Sequence, residues 1–264
     1  MTAAPLTGVR VLDLTRVLAG PHCTRMLCDM GADVIKVEPP EGDITRATTP
    51  RINSVASYFA QQNVGKRCIS IDLDHADGRD LLLRLADQCD VLVENFRPGV
   101  LARLGLGADV LQARNPRLIV ASISGYGQDG PWAQRRAYAS VVQAETGITR
   151  SQGDGRGGHE GDYSNDRHSH ADVYTALECA SAVLAALYQR ERTGVGERVD
   201  VSMAQTMLYV NEHAHDALWD HTVPPFSVRS FGTEEFPVVT AANGERVVIS
   251  GHPAENMTFD FYMR

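Results

Sequence analysis

The sequence alternates short apolar runs with amphipathic segments, and this alternation constrains the fold more than any other feature. Apolar runs at residues 9–14 and 32–38 flank a segment of helical periodicity that Pro21 opens and Gly31 ends. A strand, a helix and a second strand of such lengths form a right-handed parallel unit. Further runs of strand length occur at residues 68–73, 91–94, 118–124 and 198–202. The pattern therefore predicts an α/β fold with an open, mostly parallel sheet of Rossmann-like units.

The remaining segments predict how the chain divides into domains. The stretch 151–166 is polar, glycine-rich and aperiodic, and is predicted to be a surface loop. After Pro224-Pro225, apolar runs surround Asn243-Gly244, which is typical of a β-hairpin. We expect a large domain over residues 1–222 and the beginning of a smaller second domain over 223–264. Helices are expected at residues 77–88, 109–115, 138–147, 173–193 and 203–221.

Composition and charge exclude several classes of protein. The chain has 264 residues, of which 43% are hydrophobic, so it can bury a core. Its net charge of -8 argues against a nucleic-acid partner, and its only lysines are Lys36 and Lys66. The five cysteines are odd in number and form no C-x-x-C pair, so neither a disulfide framework nor a zinc ribbon is indicated. Without a signal peptide or a long apolar run, we expect a cytoplasmic protein with no membrane partner.

The loops that follow the predicted strands indicate a ligand-binding edge. Glu38 ends the second strand, where a dinucleotide fold keeps its ribose-binding acid. The loop after the first strand, however, has Gly20 alone instead of G-x-G-x-x-G, so NAD and FAD are disfavoured. The turns at 95–99 and 125–131 follow two further strands. Because parallel strands end at a common edge, we expect a pocket there.

Asp172 stands at the predicted start of a helix that Gly194 ends. An aspartate there can cap the helix, and the amides of the first turn together with the helix dipole favour its ionised form. The spacing of His168, His170 and Asp172 also permits a metal site, but only His159 and Asp162 stand nearby to complete it, so no metal is expected. His213 and His215 would point to different faces of one helix and are poor joint ligands.

Several stretches together carry a resemblance to a known family. They are Leu12-Asp13-Leu14 with Ala19-Gly20-Pro21, and the ranges 31–39, 63–74, 90–104, 115–130 and 172–202. In this order they resemble the family III CoA-transferases, which include formyl-CoA transferase, carnitine CoA-transferase and the methylacyl-CoA racemases. The match is nearly continuous from Gly8 to about Ser202.

The resemblance implies an acyl-CoA enzyme with Asp172 as its nucleophile. Attack of the carboxylate on a thioester would give a mixed anhydride and then an aspartyl-CoA thioester. Acyl-CoA and a small carboxylic acid would be the substrates, no cofactor would be bound permanently, and the family assembles as an interlocked homodimer. Arginines suit the phosphates of CoA. The family's CoA contacts would fall on Leu18, Ala19, Pro39, Leu73, Asp74, His75, Asn95, Phe96, Arg97, Arg103, Arg136 and Tyr138.

Three departures from the family leave alternatives open. Formyl-CoA transferase has a glutamine at the position of Leu18, which disfavours a formyl or oxalate substrate. The racemases use a histidine near Tyr138, and residues 135–139 contain none, which favours transfer over racemisation. Family members are also considerably longer, so the chain is expected to stop within the second domain. A racemase or isomerase, and a truncated CoA-binding remnant without activity, therefore remain as alternatives to the acyl-CoA:carboxylate CoA-transferase.

Overall fold

The computed structural model describes residues 3–155, 163–164, 167–212, 238–240 and 242–248. The strands are β1 (Arg10–Asp13), β2 (Asp33–Glu38), β3 (Arg51–Ile52), β4 (Val55–Ala56), β5 (Arg67–Ser70), β6 (Val91–Glu94), β7 (Ile119–Ser124), β8 (Arg198–Ser202), β9 (Val238–Thr240) and β10 (Arg246–Val248). The helices are α1 (Ala19–Asp29), α2 (Ser57–Asn63), α3 (Ala76–Ala86), α4 (Val100–Arg103), α5 (Ala108–Arg114), α6 (Ala139–Glu145), α7 (Ile148–Gly155), α8 (His170–Thr193) and α9 (Met203–Val210), with a 3-10 helix at Ile44–Ala47.

The main sheet has six strands in the order β5-β2-β1-β6-β7-β8, and all of its pairs are parallel. From β1 the chain builds outward through β2 to β5. It then returns to the other side of β1 and builds outward from β6 to β8. The chain therefore continues from β1 and from β6 to helices on opposite faces of the sheet, and a crevice forms at the carboxyl ends of the strands where the direction of winding reverses. The α/β fold class with its mostly parallel sheet is confirmed.

Helices cover both faces of the sheet, and the alternation of side chains along each strand explains why. Val11 points into a core formed with α1, α6, α8 and α9, while its neighbour Leu12 points into a second core formed with α3, α4 and α5. Val91 and Leu92 on β6 divide between the two cores in the same way. A strand that is buried on both faces is apolar at most of its positions. This preference accounts for the continuous apolar runs in the sequence.

The long helix α8 is a central core element. Among the described residues it is the one helix that is long and apolar enough to cross a membrane by length and composition. However, Ala176, Cys179 and Val183 are fully buried in the core that α8 shares with α1. Small residues on this face allow the two helices to approach closely. Packing inside the fold therefore accounts for the apolar sequence of α8.

The structure corrects the sequence prediction at several places. Helix α1 begins at Ala19, so Pro21 is its third residue and does not open it. Residues 151–155 were predicted to be loop but belong to α7. The β3–β4 hairpin and α2 were not predicted. The hairpin around Asn243-Gly244 is confirmed, since β9 and β10 pair antiparallel. The domain boundary at residue 222 and the end of the helix predicted over 203–221 lie outside the described residues.

Candidate active site

Two helices converge on Asp172 at the carboxyl edge of the sheet. Asp172 is the third residue of α8, whose N-cap is Ser169, so the prediction that Asp172 caps its own helix was wrong. Its carboxylate instead accepts a hydrogen bond from the backbone amide of Ala19, the first residue of α1. The first-turn amides of a helix have no partner within that helix. The carboxylate of Asp172 therefore lies in the first turn of its own helix and accepts from the first turn of another.

Burial changes the acidity of Asp172 in the opposite direction to the sequence expectation. Removal from water raises the pKa of Asp172 to about 6, and the Ala19 amide lowers it only in part. We expected the helix terminus to favour the ionised form, but desolvation is the larger effect. At pH 7 the group is still mainly ionised, and it carries few compensating hydrogen bonds. A carboxylate in this state is more basic, and therefore more nucleophilic, than an aspartate in water.

A cavity of about 240 Å³ opens on Asp172, and we name it the aspartate cavity. Leu18 and Tyr138, which the resemblance associates with CoA, both line it. Its other lining residues are Val17, Tyr58, Ala139, Ser140, Gln143, His168 and Ser169. Sequence reasoning missed Tyr58, Ser140 and Gln143 as site residues. Gln143 had a signal, because it lies four residues after Ala139 and three before Thr146, on the buried stripe of its helix.

A larger cavity of about 440 Å³ lies at the carboxyl edge of the sheet, lined by residues at or after the ends of β1, β2, β5 and β6, and we name it the crevice cavity. Five of the predicted CoA contacts line it: Pro39, Leu73, Asp74, Phe96 and Arg103. Glu38 also lines it, but the guanidinium of Arg46 holds the Glu38 carboxylate through two hydrogen bonds of 2.6 Å each. The acid that resembles a ribose ligand therefore already has a charged partner.

The loop between β1 and α1 connects the two cavities. Arg16 lines the crevice cavity, whereas Val17 and Leu18 line the aspartate cavity. Val17 has a φ of 67°, which is unfavourable for a β-branched residue. Its amide donates to Asp43 Oδ2 at 3.3 Å. A strained backbone at this point turns the chain from one cavity to the other and directs the Ala19 amide at Asp172.

Buried charged side chains hold the loop between β1 and α1 in place. The chain's two lysines both have fully buried side chains: Lys66 Nζ lies 2.9 Å from Asp13 Oδ2, and Lys36 Nζ lies 3.2 Å from Asp43 Oδ2. Lys36 also donates to the carbonyl of Thr15 at 2.7 Å. Burial opposes ionisation of Asp13, but the two lysines and nearby hydroxyls outweigh it and lower its pKa.

Five of the predicted contact residues line neither cavity. His75 is the N-cap of α3, where Nδ1 accepts from the amide of Asp77. Asn95 bridges the loops that follow β1 and β6, because its side chain donates to the carbonyl of Arg16 and accepts from the amide of Arg16. Arg97 and Arg136 are exposed. Ala19 is buried and contributes its amide to Asp172.

The metal interpretation gains no support from the described residues. Within them, no group of three or more histidine, cysteine, aspartate or glutamate side chains is arranged to hold a metal ion. The rings of His168 and His170 lie 5.7 Å apart between centroids, and His170 stacks on Tyr174. His159, Asp162, His213 and His215 lie outside the described residues.

Comparison with known proteins places the chain in one family. The chain is 38% identical over 265 aligned positions to a protein named probable fatty acyl-CoA transferase from Mycobacterium tuberculosis, covering 95% of this chain and 66% of that protein. It is 41% identical over 209 residues to a formyl-CoA:oxalate CoA-transferase from Streptomyces coelicolor, covering 79% of this chain and 50% of that protein. The chain thus spans about half to two thirds of the length of these relatives.

The solved structures agree with the sequence relatives. A crystal structure of a CAIB/BAIF family protein from Brucella suis matches with a TM-score of 0.76 and 38% identity, covering 84% of this chain and 60% of that one. A crystal structure of the Mycobacterium tuberculosis protein matches with a TM-score of 0.75 and 40% identity, covering 83% of this chain and 59% of that one. The model for CoA-transferase family III matches residues 6–258. The chain therefore belongs to CoA-transferase family III.

Proposed function

We propose that this chain carries the catalytic carboxylate of an acyl-CoA:carboxylate CoA-transferase, with Asp172 as the nucleophile. The observation that supports this most is the state of Asp172: a desolvated carboxylate with a pKa near 6 on the wall of a cavity of ligand size. Other members of the family are named as CoA-transferases for formyl, acetyl and succinyl groups. We further propose that the protein acts in the cytoplasm as a homodimer.

The reaction would proceed through intermediates on Asp172. Its carboxylate attacks the thioester carbonyl carbon, and CoA leaves as a thiolate, which produces a mixed anhydride. The thiolate then attacks the Asp172 carbonyl, which releases the first acid and leaves an aspartyl-CoA thioester. The acceptor carboxylate repeats these two steps in reverse. Overall, one acyl-CoA thioester is exchanged for another of similar energy, so no external energy source is required.

The two cavities would divide the CoA molecule between them. The phosphate-bearing part would lie in the crevice cavity beside Arg103 and Phe96, and the thioester would lie in the aspartate cavity. The β1–α1 loop between them would contact the intervening pantetheine arm. Arg16 adds a second exposed guanidinium at the crevice, 5.5 Å from the centroid of the Phe96 ring. Phosphate groups are suited to such donors.

A covalent trap tests the proposal. The protein is incubated with a panel of acyl-CoA thioesters and neutral hydroxylamine, which converts an activated aspartyl group into a stable hydroxamate. Intact-mass analysis followed by peptide mapping should locate the mass increase on Asp172, and Asp172→Asn should remain unmodified. If folded protein gains no mass with any thioester, the transferase proposal is wrong and a non-catalytic CoA-binding chain takes its place.

A racemase or isomerase is the second candidate, and one observation favours it. His168 and Asp172 line the same cavity, so an imidazole and a carboxylate both border the space that a bound acyl group would occupy. Proton exchange at the α-carbon needs an acid and a base on opposite sides of that carbon. Incubation of a 2-methylacyl-CoA in D₂O separates the candidates: exchange of the α-proton without a hydroxamate indicates the racemase.

A further inference from the structure

The aspartate cavity contains a buried amide group with an unused hydrogen-bond donor. Gln143 on α6 is 1% exposed and lines the cavity together with Asp172. Its Oε1 accepts from the backbone amide of Ala171 at 3.4 Å. Its Nε2 is buried and has no acceptor among the residues that the structure describes. Since a buried donor without an acceptor is costly, the group indicates a bound partner that supplies an oxygen.

The backbone of α8 fixes the orientation of this amide. If the oxygen and nitrogen of Gln143 exchanged places, the NH₂ group would face the N–H of Ala171, and two donors would meet. Ala171 is the second residue of α8, so its own amide has no acceptor within the helix. It also directly precedes Asp172. The contact therefore ties the Gln143 side chain to the backbone segment that carries the nucleophile.

The Asp172 carboxylate does not use this donor. In the described part of the chain, the hydrogen bond that lowers the pKa of Asp172 comes from the Ala19 amide. The Nε2 donor of Gln143 is therefore used neither by Asp172 nor by any other described residue, and because Nε2 is itself buried, a ligand atom in the aspartate cavity would reach it after a small shift of the Gln143 side chain. The required atom is an acceptor, and in an acyl-CoA the acceptor nearest to the bond under attack is the thioester oxygen.

We infer that Gln143 is a further catalytic residue whose Nε2 donates to the thioester oxygen as Asp172 attacks; this rests on the proposed function. In the step, a bond forms between a carboxylate oxygen of Asp172 and the carbonyl carbon, and the carbonyl π electron pair moves to the oxygen. When that pair returns, the carbon–sulfur bond breaks and CoA leaves as a thiolate. The amide stabilises the oxygen while it carries the charge. Because the amide is neutral, it does so without reducing the basicity of Asp172.

The test compares the rate of Asp172 hydroxamate formation in the wild type and in Gln143→Met. The methionine keeps the length of the side chain and removes the donor. With saturating acetyl-CoA and hydroxylamine, we expect the rate to fall about 10²-fold, as for loss of one oxyanion donor. The Kd of acetyl-CoA should stay within about twofold, because the bond is strongest in the transition state. Gln88→Met, on an exposed residue after α3, is the matched control and should leave the rate unchanged.

A second variant keeps the inference testable if Gln143→Met fails to fold. Gln143→Glu retains an acceptor for the Ala171 amide and regains a donor only when its carboxyl is protonated. Its rate relative to that of the wild type should therefore increase as the pH falls from 8 to 6. An equal rate in either variant and the wild type, at the same acetyl-CoA occupancy, overturns the inference while leaving the proposed function intact.

A binding measurement does not depend on turnover. The ¹⁵N-labelled side-chain amide of Gln143 is assigned by comparison with Gln143→Met, and acetyl-CoA is added to the wild type. We expect its N–H signal to move downfield. If acetyl-CoA shifts other signals but not this one, the inference is wrong. If no thioester of the panel shifts any signal, both the inference and the proposed function are wrong.

Discussion

At the scale of single residues, Asp172 illustrates a conflict between stability and function. Its pKa of about 6 exceeds the ordinary value of 3.8, so the folded chain disfavours the ionised form that nucleophilic attack requires. The folded state binds more protons than the unfolded state between these two values. Stability is therefore greatest below the unfolded pKa and decreases as the pH rises through the folded pKa. At neutral pH the charge at the site lowers the stability of the fold.

Asp172→Asn should therefore stabilise the protein at pH 8 while abolishing covalent chemistry. The gain in the free energy of unfolding should reach up to about 3 kcal/mol at 1.4 kcal/mol per pKa unit, and it should largely disappear at pH 4. Urea unfolding at both pH values measures it. Glu94→Gln is the matched control, because burial also raises the pKa of Glu94 to about 7. It should stabilise the fold while retaining the Asp172 hydroxamate. A loss of stability for Asp172→Asn at pH 8 would contradict the argument.

The rate of hydroxamate formation on Asp172 should follow the ionised fraction of its carboxyl group as the pH changes. Because only the carboxylate attacks, the rate at saturating thioester should increase through a midpoint near pH 6 and level off above pH 7. Hydroxylamine also loses a proton in this pH range, so the rates are compared at equal concentrations of its free base. An aspartate with an ordinary pKa would then give a flat profile. Quenched mass-spectrometric time courses between pH 4.5 and 8 provide the measurement. A flat profile would show that burial does not control the nucleophile.

At the scale of elements, the loop between β1 and α1 depends on the buried lysines. Lys66 Nζ donates to Asp13, to the carbonyl of Pro21 and to the hydroxyl of Thr24, so one ammonium joins the end of β1 to the first turns of α1. No other lysine occurs in the chain apart from Lys36, which holds the same loop from the other side. A compact ammonium with three donors suits such a site better than a planar guanidinium.

Lys66→Met should destabilise the fold far more than loss of an exposed ion pair next to it. Removal of one partner of a buried pair leaves Asp13 charged and unpaired, which costs about 3–5 kcal/mol. Arg67→Met removes the exposed pair with Asp33 and should cost less than about 1 kcal/mol. Urea midpoints at pH 7 compare the two variants. Equal losses would mean that the buried pair contributes no more than an exposed one. The Lys66→Met penalty should shrink at low pH, where Asp13 becomes protonated.

Some of the strands, helices and site residues could be predicted from the sequence, and others could not. The central sheet strands were predictable because burial on both faces leaves continuous apolar runs, as at β1 and β6. The edge strand β5 is exposed and the edge strand β8 is buried only at its last two residues, so both were predictable only as short runs of strand length. The helix α2, which has no side-chain cap and no charged residue in its first or last turn, was missed. Leu18 and Tyr138 were identified only through the family resemblance. The Ala19 amide could not be predicted, since a backbone donor leaves no trace in the sequence and its role depends on how two distant helices meet.

At the scale of the whole molecule, the two cavities belong to one continuous edge of the sheet. The winding order brings the β1 and β6 loops together, and Asn95 joins them through reciprocal hydrogen bonds with the Arg16 backbone of 2.8 and 2.9 Å. The β1–α1 loop then continues from the crevice cavity to Asp172. One extended ligand can therefore contact both cavities while only one end meets the nucleophile. Binding and chemistry should consequently be separable by mutation.

Arg103→Ala should weaken the binding of acetyl-CoA without changing the chemistry, whereas Asp172→Asn should abolish the chemistry without changing the binding. Arg103 lines the crevice cavity, and loss of a charge-assisted hydrogen bond to a phosphate should raise the Kd of acetyl-CoA by about 10-fold or more. The rate of hydroxamate formation at saturation should stay unchanged, because Arg103 is remote from the thioester. Asp172→Asn should leave the Kd nearly constant and abolish the hydroxamate. Calorimetric titration and the mass-spectrometric trap measure the two quantities, with exposed Arg84→Ala as the charge-matched control. If Arg103→Ala and Arg84→Ala give the same Kd, the phosphates bind elsewhere, and the crevice cavity does not take part in CoA recognition.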